Sequence, residues 1–155
     1  MYEFRCDEID ITITFPSSVV ENLMKFRQTI FRKEAGGLLF CSNPNTNHIN
    51  ISYISSPSIY DLRSKYFFKS DERTSQDIIN KQFHQGHHYV GDWHTHAEKV
   101  PTPSEQDKKT ICDIYRKSNH HLFYIIFLIV SSEKDFSKSY LALADGNNLY
   151  SCRHI

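Results

Sequence analysis

The sequence predicts an α/β domain built on a single mixed central β-sheet flanked by three helices. Three observations lead there. Ile9, Ile11, Ile13 and Phe15 alternate with polar residues, and so do Ile49, Ile51 and Tyr53, which is the period of strands with one buried face. Three other segments carry apolar residues at helical spacing. The run from Leu122 to Val130, rich in Ile, Phe and Val, reads as a strand buried on both faces.

Taken in order, Pro16 ends the first strand. Ser18 and Glu21 form a capping box, and Val19, Leu23, Phe26 and Ile30 follow, so Ser17 to about Phe31 is expected to be an amphipathic helix. Gly36 and Gly37 allow close backbone approach ahead of the apolar strand Leu38 to Cys41. An Asn/Pro-rich turn from Ser42 to Asn47 joins it to Ile49 to Tyr53 as a hairpin. Ser55 to Arg63 reads as loop and Lys65 to Lys69 as a short aromatic strand. Thr74 and Asp77 open a second helix with Ile78, Ile79 and Phe83 inward, closing near Gly86. A strand containing Tyr89, Val90 and Trp93 follows, with Trp93 buried. A third helix runs from Ser104 to about Lys117 with Ile111, Ile114 and Tyr115 inward. After the buried strand, Tyr140 to Ala144 and Asn148 to Arg153 form a closing hairpin around Asp145-Gly146-Asn147. No repeat or low-complexity linker interrupts the chain, so residues 1–155 are expected to be one domain.

Composition narrows the function classes. The 18 basic and 18 acidic residues balance, leaving no electrostatic footprint for nucleic acid or for an anionic membrane. The four cysteines (Cys6, Cys41, Cys112, Cys152) are far apart, without a Cys-x-x-Cys pair, and the N-terminus lacks a signal pattern. A reduced, cytoplasmic location is the expectation. The longest apolar run is nine residues, about half of a membrane-spanning helix.

The segment Gly91-Asp92-Trp93-His94-Thr95-His96 followed by Pro101-Thr102-Pro103-Ser104-Glu105-Gln106-Asp107 carries the chemistry. Histidines one residue apart on an extended segment point to the same side and can grip one metal ion. Ser104 has N-cap character, which places Asp107 in the first turn of the next helix as a third ligand. Three ligands leave an open position, the mark of a catalytic rather than a structural zinc site. With the chain's composition, His-x-His, seven residues, then Ser-x-x-Asp has about 0.003 expected chance occurrences. A capping box alone would explain Ser104 and Asp107 but neither histidine.

Hydrolysis at such a site needs a carboxylate to move a proton. Of the eight glutamates, Glu98 is nearest in sequence but lies on a loop, whereas Glu34 sits at the entrance to an apolar strand; the physics of the residues favours Glu34 only modestly. Elsewhere, His84, His87 and His88, and Cys112 with His120 and His121, read as polar surface rather than a second metal site. Tyr66, Phe67 and Phe68 beside Arg63 are candidates for a groove taking an extended tail as an added strand, with core packing the competing reading.

A Glu before a Gly-Gly strand, followed some sixty residues later by His-x-His-x7-Ser-x-x-Asp, resembles the JAMM family (JAB or MPN+) of zinc isopeptidases. The order of strands and helices matches over nearly the whole chain. The resemblance implies a cytidine-deaminase-like JAB/MPN domain with one zinc held by His94, His96 and Asp107. It implies Glu34 as general base and acid, and Ser104 as the hydroxyl that stabilises the oxyanion. Gly-Asp-Trp-His-Thr-His with Pro-Thr-Pro-Ser is most similar to short bacterial members, found in mobile elements and in antiphage operons beside ubiquitin-transfer-like enzymes. In some of these a cyclic-nucleotide synthase is the conjugated protein. Ala97 stands where many members have Pro, and Phe40 where many have Gly, departures that touch loop shape and substrate fit rather than the ligands. The implied activity is hydrolysis of the amide bond after the C-terminal Gly tail of a ubiquitin-like or similarly conjugated protein, with operon-encoded conjugation enzymes as possible companions. Trimming of a precursor tail and a non-catalytic scaffold are the alternatives.

Overall fold

Eight strands form a closed ring in the computed structural model, which describes residues 1–155. In chain order the elements are β1 (Tyr2–Cys6), β2 (Ile11–Phe15), α1 (Ser17–Met24), β3 (Gly36–Cys41), β4 (His48–Ile54), β5 (Leu62–Ser64), β6 (Phe67–Lys69), α2 (Glu72–His84), β7 (His88–Thr95), α3 (Glu105–Lys117), β8 (Ile125–Val130), β9 (Tyr140–Ala144) and β10 (Leu149–His154). Around the barrel they run β1-β10-β9-β8-β7-β3-β4-β2, while β5 and β6 pair only with each other. The β2–β4 and β7–β8 pairs are parallel and the rest antiparallel, so the sheet is mixed as expected.

The closure corrects the expectation of a single central sheet with helices on its faces. Its cause is β1, which the pattern reading passed over although Tyr2, Phe4 and Cys6 alternate with Glu3 and Arg5. This strand pairs with β2 on one side and β10 on the other, and a left-handed turn at Asp10 (φ 55°) sends the chain back into β2. Inside the ring, alternate residues of the strands form one core with Val19, Val20 and Leu23 of α1. Outside it, Ile111 of α3 packs on Ile125, Phe127 and Ile129. Thus β8 is covered on both faces, Ile126, Leu128 and Val130 facing the barrel core.

Local starts and ends differ from the expectation in several places: Ile9 sits in a 3-10 turn before the first alternating strand, Leu62 and Arg63, expected in a loop, open β5, and the first two helices are bounded differently. The first helix stops at Met24 rather than near Phe31, and its N-cap is Pro16, with no capping box from Ser18. Beyond Met24 the chain leaves the helical path, Phe26 stacks on Trp93 at 5.6 Å, and Gln28 is buried. Gln28 Nε2 donates to the carbonyls of Arg32 and Lys65, a role a helical continuation would forbid. The second helix begins at Glu72, because Asp71 rather than Thr74 is the cap, accepting from Thr74 N–H at 3.0 Å. Its Phe83 faces solvent and Gln82 is the buried residue, a correction to the inward face assigned to Phe83.

The strands bearing the motif lie at the centre. Gly36 pairs with His94 and Gly37 with Trp93. Both glycines are needed here, since a Cβ on Gly36 would meet the Phe68 ring and the Trp93 carbonyl, and one on Gly37 the Ser55 carbonyl. Extending that register two places sets Glu34 opposite His96. No helix is long and apolar enough to cross a membrane.

Candidate metal centre and its cleft

At the end of β7 the chain turns outward, and His94 and His96, two residues apart, present their rings to the same side. Their Nε2 atoms are 3.1 Å apart, and Asp107 Oδ2 lies 3.5 Å from the first and 3.2 Å from the second. This is the one group of three or more His, Cys, Asp or Glu side chains in the chain drawn close enough to hold a metal ion. For bonds of about 2.0–2.2 Å, the edges of a tetrahedral donor set are about 3.3–3.6 Å. Of the three observed separations, 3.5 Å falls in that range and 3.1 and 3.2 Å fall slightly below it, so small outward shifts of the donors would seat one ion with a position left over.

Asp107 reaches the histidines because it also starts α3. Ser104 Oγ accepts from Asp107 N–H at 3.0 Å, and Asp107 Oδ2 accepts from Ser104 N–H at 2.9 Å, a complete capping box. The same carboxylate oxygen that closes the cap also faces both histidines, so a capping role does not remove Asp107 from the cluster. Burial would raise the Asp107 pKa, but the hydrogen bonds from His94 and His96 outweigh it and hold the carboxyl well below its ordinary range. Burial lowers the pKa of His94. Burial acts the same way on His96, but there it is overcome by Asp107 and Glu98, and the pKa rises.

Glu34 Oε1 stands 4.0 Å from His96 Nε2, outside the cluster but facing it. Its backbone is held on both sides by β5: Glu34 N–H donates to Ser64 O at 2.7 Å, and Arg63 Nε donates to Glu34 O at 2.7 Å. Thr95, between the histidines, stitches the next residue in place. Ala35 N–H donates to Thr95 Oγ1 and Thr95 N–H to Ala35 O, each at 2.9 Å. Burial pushes the Glu34 carboxyl up to about 7; His96 opposes the rise and Asp107 adds to it.

A cleft of about 510 Å³ opens over these groups, between the β5–β6 hairpin and α3. Glu34, His94, Ser104, Asp107 and Phe67 line it, while His96, 12% exposed like His94, is not part of the lining. Arg63 does not line the cleft; its guanidinium is spent on the Glu34 carbonyl. Tyr66 and Phe67 are 90% and 44% exposed, which rules out core packing for both. A smaller apolar hollow of about 210 Å³, walled by Ile9, Ile11, Val90 and Ile126, has no carboxylate, imidazole or thiol in its lining.

Three contributors escaped the sequence reading. Gln28 and Thr95 position the strand ends, and Glu98, expected to be a solvated loop carboxylate, accepts from His96 Nδ1 at 2.7 Å. The two-residue spacing of Glu98 from His96 does not by itself predict that contact, which depends on the path of the loop.

A mixed sheet carrying a two-imidazole, one-carboxylate cluster that could hold a metal ion, beside an unattached glutamate, defines a recognisable class of α/β protein. Residues 16–141 match the model of the prokaryotic homologs of the JAB domain, and the chain belongs to that family. It is similar to a CD-NTase/cGAS isopeptidase of Escherichia coli (strain TW11681), 31% identical over 107 residues that cover 67% of this chain and 69% of that protein. A CD-NTase/cGAS isopeptidase of Vibrio cholerae serotype O1 is 30% identical over 106 residues, 66% and 67% of the two chains. The solution structure of protein DSY2949 from Desulfitobacterium hafniense shares the fold, with a TM-score of 0.66 at 18% identity over 90% of this chain and 88% of that one.

Proposed function

We propose that the chain is a zinc-dependent isopeptidase that hydrolyses the amide joining the C-terminal tail of a conjugated protein to an amine of its target. The observation that carries the reading is Glu34 Oε1 facing, but not joining, the cluster of His94, His96 and Asp107. A fourth ligand would have closed the site. A carboxylate held just outside it is placed to move protons instead. Two imidazoles and one carboxylate at close to tetrahedral edge lengths favour zinc among the common divalent ions. When bound, zinc supplies Lewis acidity to the scissile carbonyl and lowers the pKa of water in the open position.

His94, His96 and Asp107 hold the ion. Glu34 Oε1 takes the proton of the attacking water and returns it to the departing amine nitrogen, so the products are a free carboxyl terminus and a free amine. Its burial keeps the proton affinity near that needed for both transfers. Ser104 Oγ already accepts from Asp107 N–H, which leaves its own hydroxyl proton free to donate to the developing oxyanion. Phe67 and the exposed Tyr66 form the wall along which an extended tail would lie. The names of the relatives, which call them CD-NTase/cGAS isopeptidases, support a nucleotidyltransferase-type protein as the conjugated partner.

Purified without chelator, the protein is expected to hold about one zinc per chain by elemental analysis and to release a tail-linked protein from a lysine conjugate. A linear extension of the same tail, run in parallel, separates deconjugation from precursor trimming. Well-folded protein that takes up no zinc and cuts neither substrate would return the reading to a scaffold.

A further inference from the structure

We propose that Glu98 is a positioning residue for the metal centre, acting through His96. The inference rests on the metal-binding reading above and deepens it. His96 has two ring nitrogens, and only Nε2 faces His94 and Asp107. For Nε2 to offer its lone pair, the proton of the neutral ring must sit on Nδ1. Glu98 Oε1 accepts there at 2.7 Å, the short end of charge-assisted bonds, which fixes that tautomer and the ring's rotation together.

A half-exposed loop glutamate would ordinarily contribute little, because water competes for it and its side chain is free to wander. Here the backbone is pinned. Ser132 N–H donates to Glu98 O at 3.0 Å, and Ser131 Oγ donates to the next carbonyl, Lys99 O, at 2.6 Å. Both serines follow β8, so the loop after His96 is fastened to the strand that runs parallel to β7. The carboxylate therefore hangs from a fixed point, two residues beyond the ring it orients. A partner of this kind raises the basicity of the ligating nitrogen and spares the entropy of orienting the ring when the ion arrives.

The test compares wild type with Glu98→Ala, Glu98→Gln and Glu133→Ala in zinc affinity, measured by competition with a chromophoric chelator. The metal-free proteins are melted in parallel. Glu133 pairs with Lys99 on the same loop, so its variant removes an equal charge without touching His96. Glu98→Ala is expected to weaken zinc binding about 10- to 100-fold while the metal-free protein still melts as a folded chain. The carbonyl oxygen of Glu98→Gln restores part of the loss, and Glu133→Ala stays within about twofold of wild type. Long-range nitrogen correlation spectra of the zinc-loaded protein should show His96 carrying its proton on Nδ1. Wild-type affinity in Glu98→Ala, or an equal loss in Glu133→Ala, overturns the role of Glu98 while leaving the metal centre standing. Failure of the wild type itself to bind zinc overturns both.

Discussion

Glu34 concentrates the residue-scale chemistry because it is buried without a cationic side chain of its own. Holding its proton up to about 7 against an ordinary 4.5 means that the folded, metal-free chain binds more protons than the unfolded one between those values. Its contribution to stability therefore falls as pH rises from about 4.5 to about 7 and is level above. Glu34→Gln removes the titration, so the melting temperature of the metal-free variant relative to wild type should rise as pH goes from about 4.5 to about 7 and stay constant above. Loaded with zinc, the same variant should keep its metal and lose about 10²- to 10⁴-fold in turnover. Undiminished turnover would transfer the proton to another group. The gathering of His94, His96 and Asp107 was legible in the sequence because their spacing is local: one strand end, one loop, one first helical turn. The bond from His96 to Glu98 was not, since it depends on how the loop after Ala97 is fastened to residues more than thirty positions away.

At the scale of elements, the β5–β6 hairpin and β3 meet at Gly36. A methyl group there would lie 2.5 Å from the Phe68 ring and 2.8 Å from the Trp93 carbonyl. Gly36→Ala must push the hairpin away from β3, with an overpacking cost of about 1–3 kcal/mol. Since the hairpin also grips the Glu34 backbone, kcat/KM should fall while zinc content per folded chain is kept, and thermal melting with metal analysis checks both. A variant that melts and turns over like wild type would mean that the hairpin yields freely. The paired glycines and the aromatic strand were readable as pattern. Their mutual contact was not, because three-residue strands have too few positions to show a period.

Across the whole molecule, closure of the ring is the feature that local patterning could not disclose. It depends on residues 2–6 finding residues 149–154, a pairing about 150 positions apart in the chain. Aromatic packing secures the seam: Phe136, fully buried, sits 5.2 Å from Phe15, 5.3 Å from Tyr2 and 5.9 Å from Phe4. Phe136→Ala is expected to cost about 3–5 kcal/mol in urea unfolding, with the folded fraction still able to take up zinc. A loss below about 1 kcal/mol would show that the seam repacks around the hole.

The hairpin that holds Glu34 by its backbone lies outside this ring and is paired with nothing but itself. Two three-residue strands flanked by the exposed Ile59, Tyr60 and Tyr66 are held to the body by only a few bonds, from Glu34, Arg63 and Gln28, and by Phe68 against Gly36, far less than holds any strand of the ring. A protease meeting the folded protein would accordingly find its first purchase here. A single nick would leave the barrel and the cluster of His94, His96 and Asp107 whole while releasing Glu34, so under the proposed mechanism activity would be lost well before the fold.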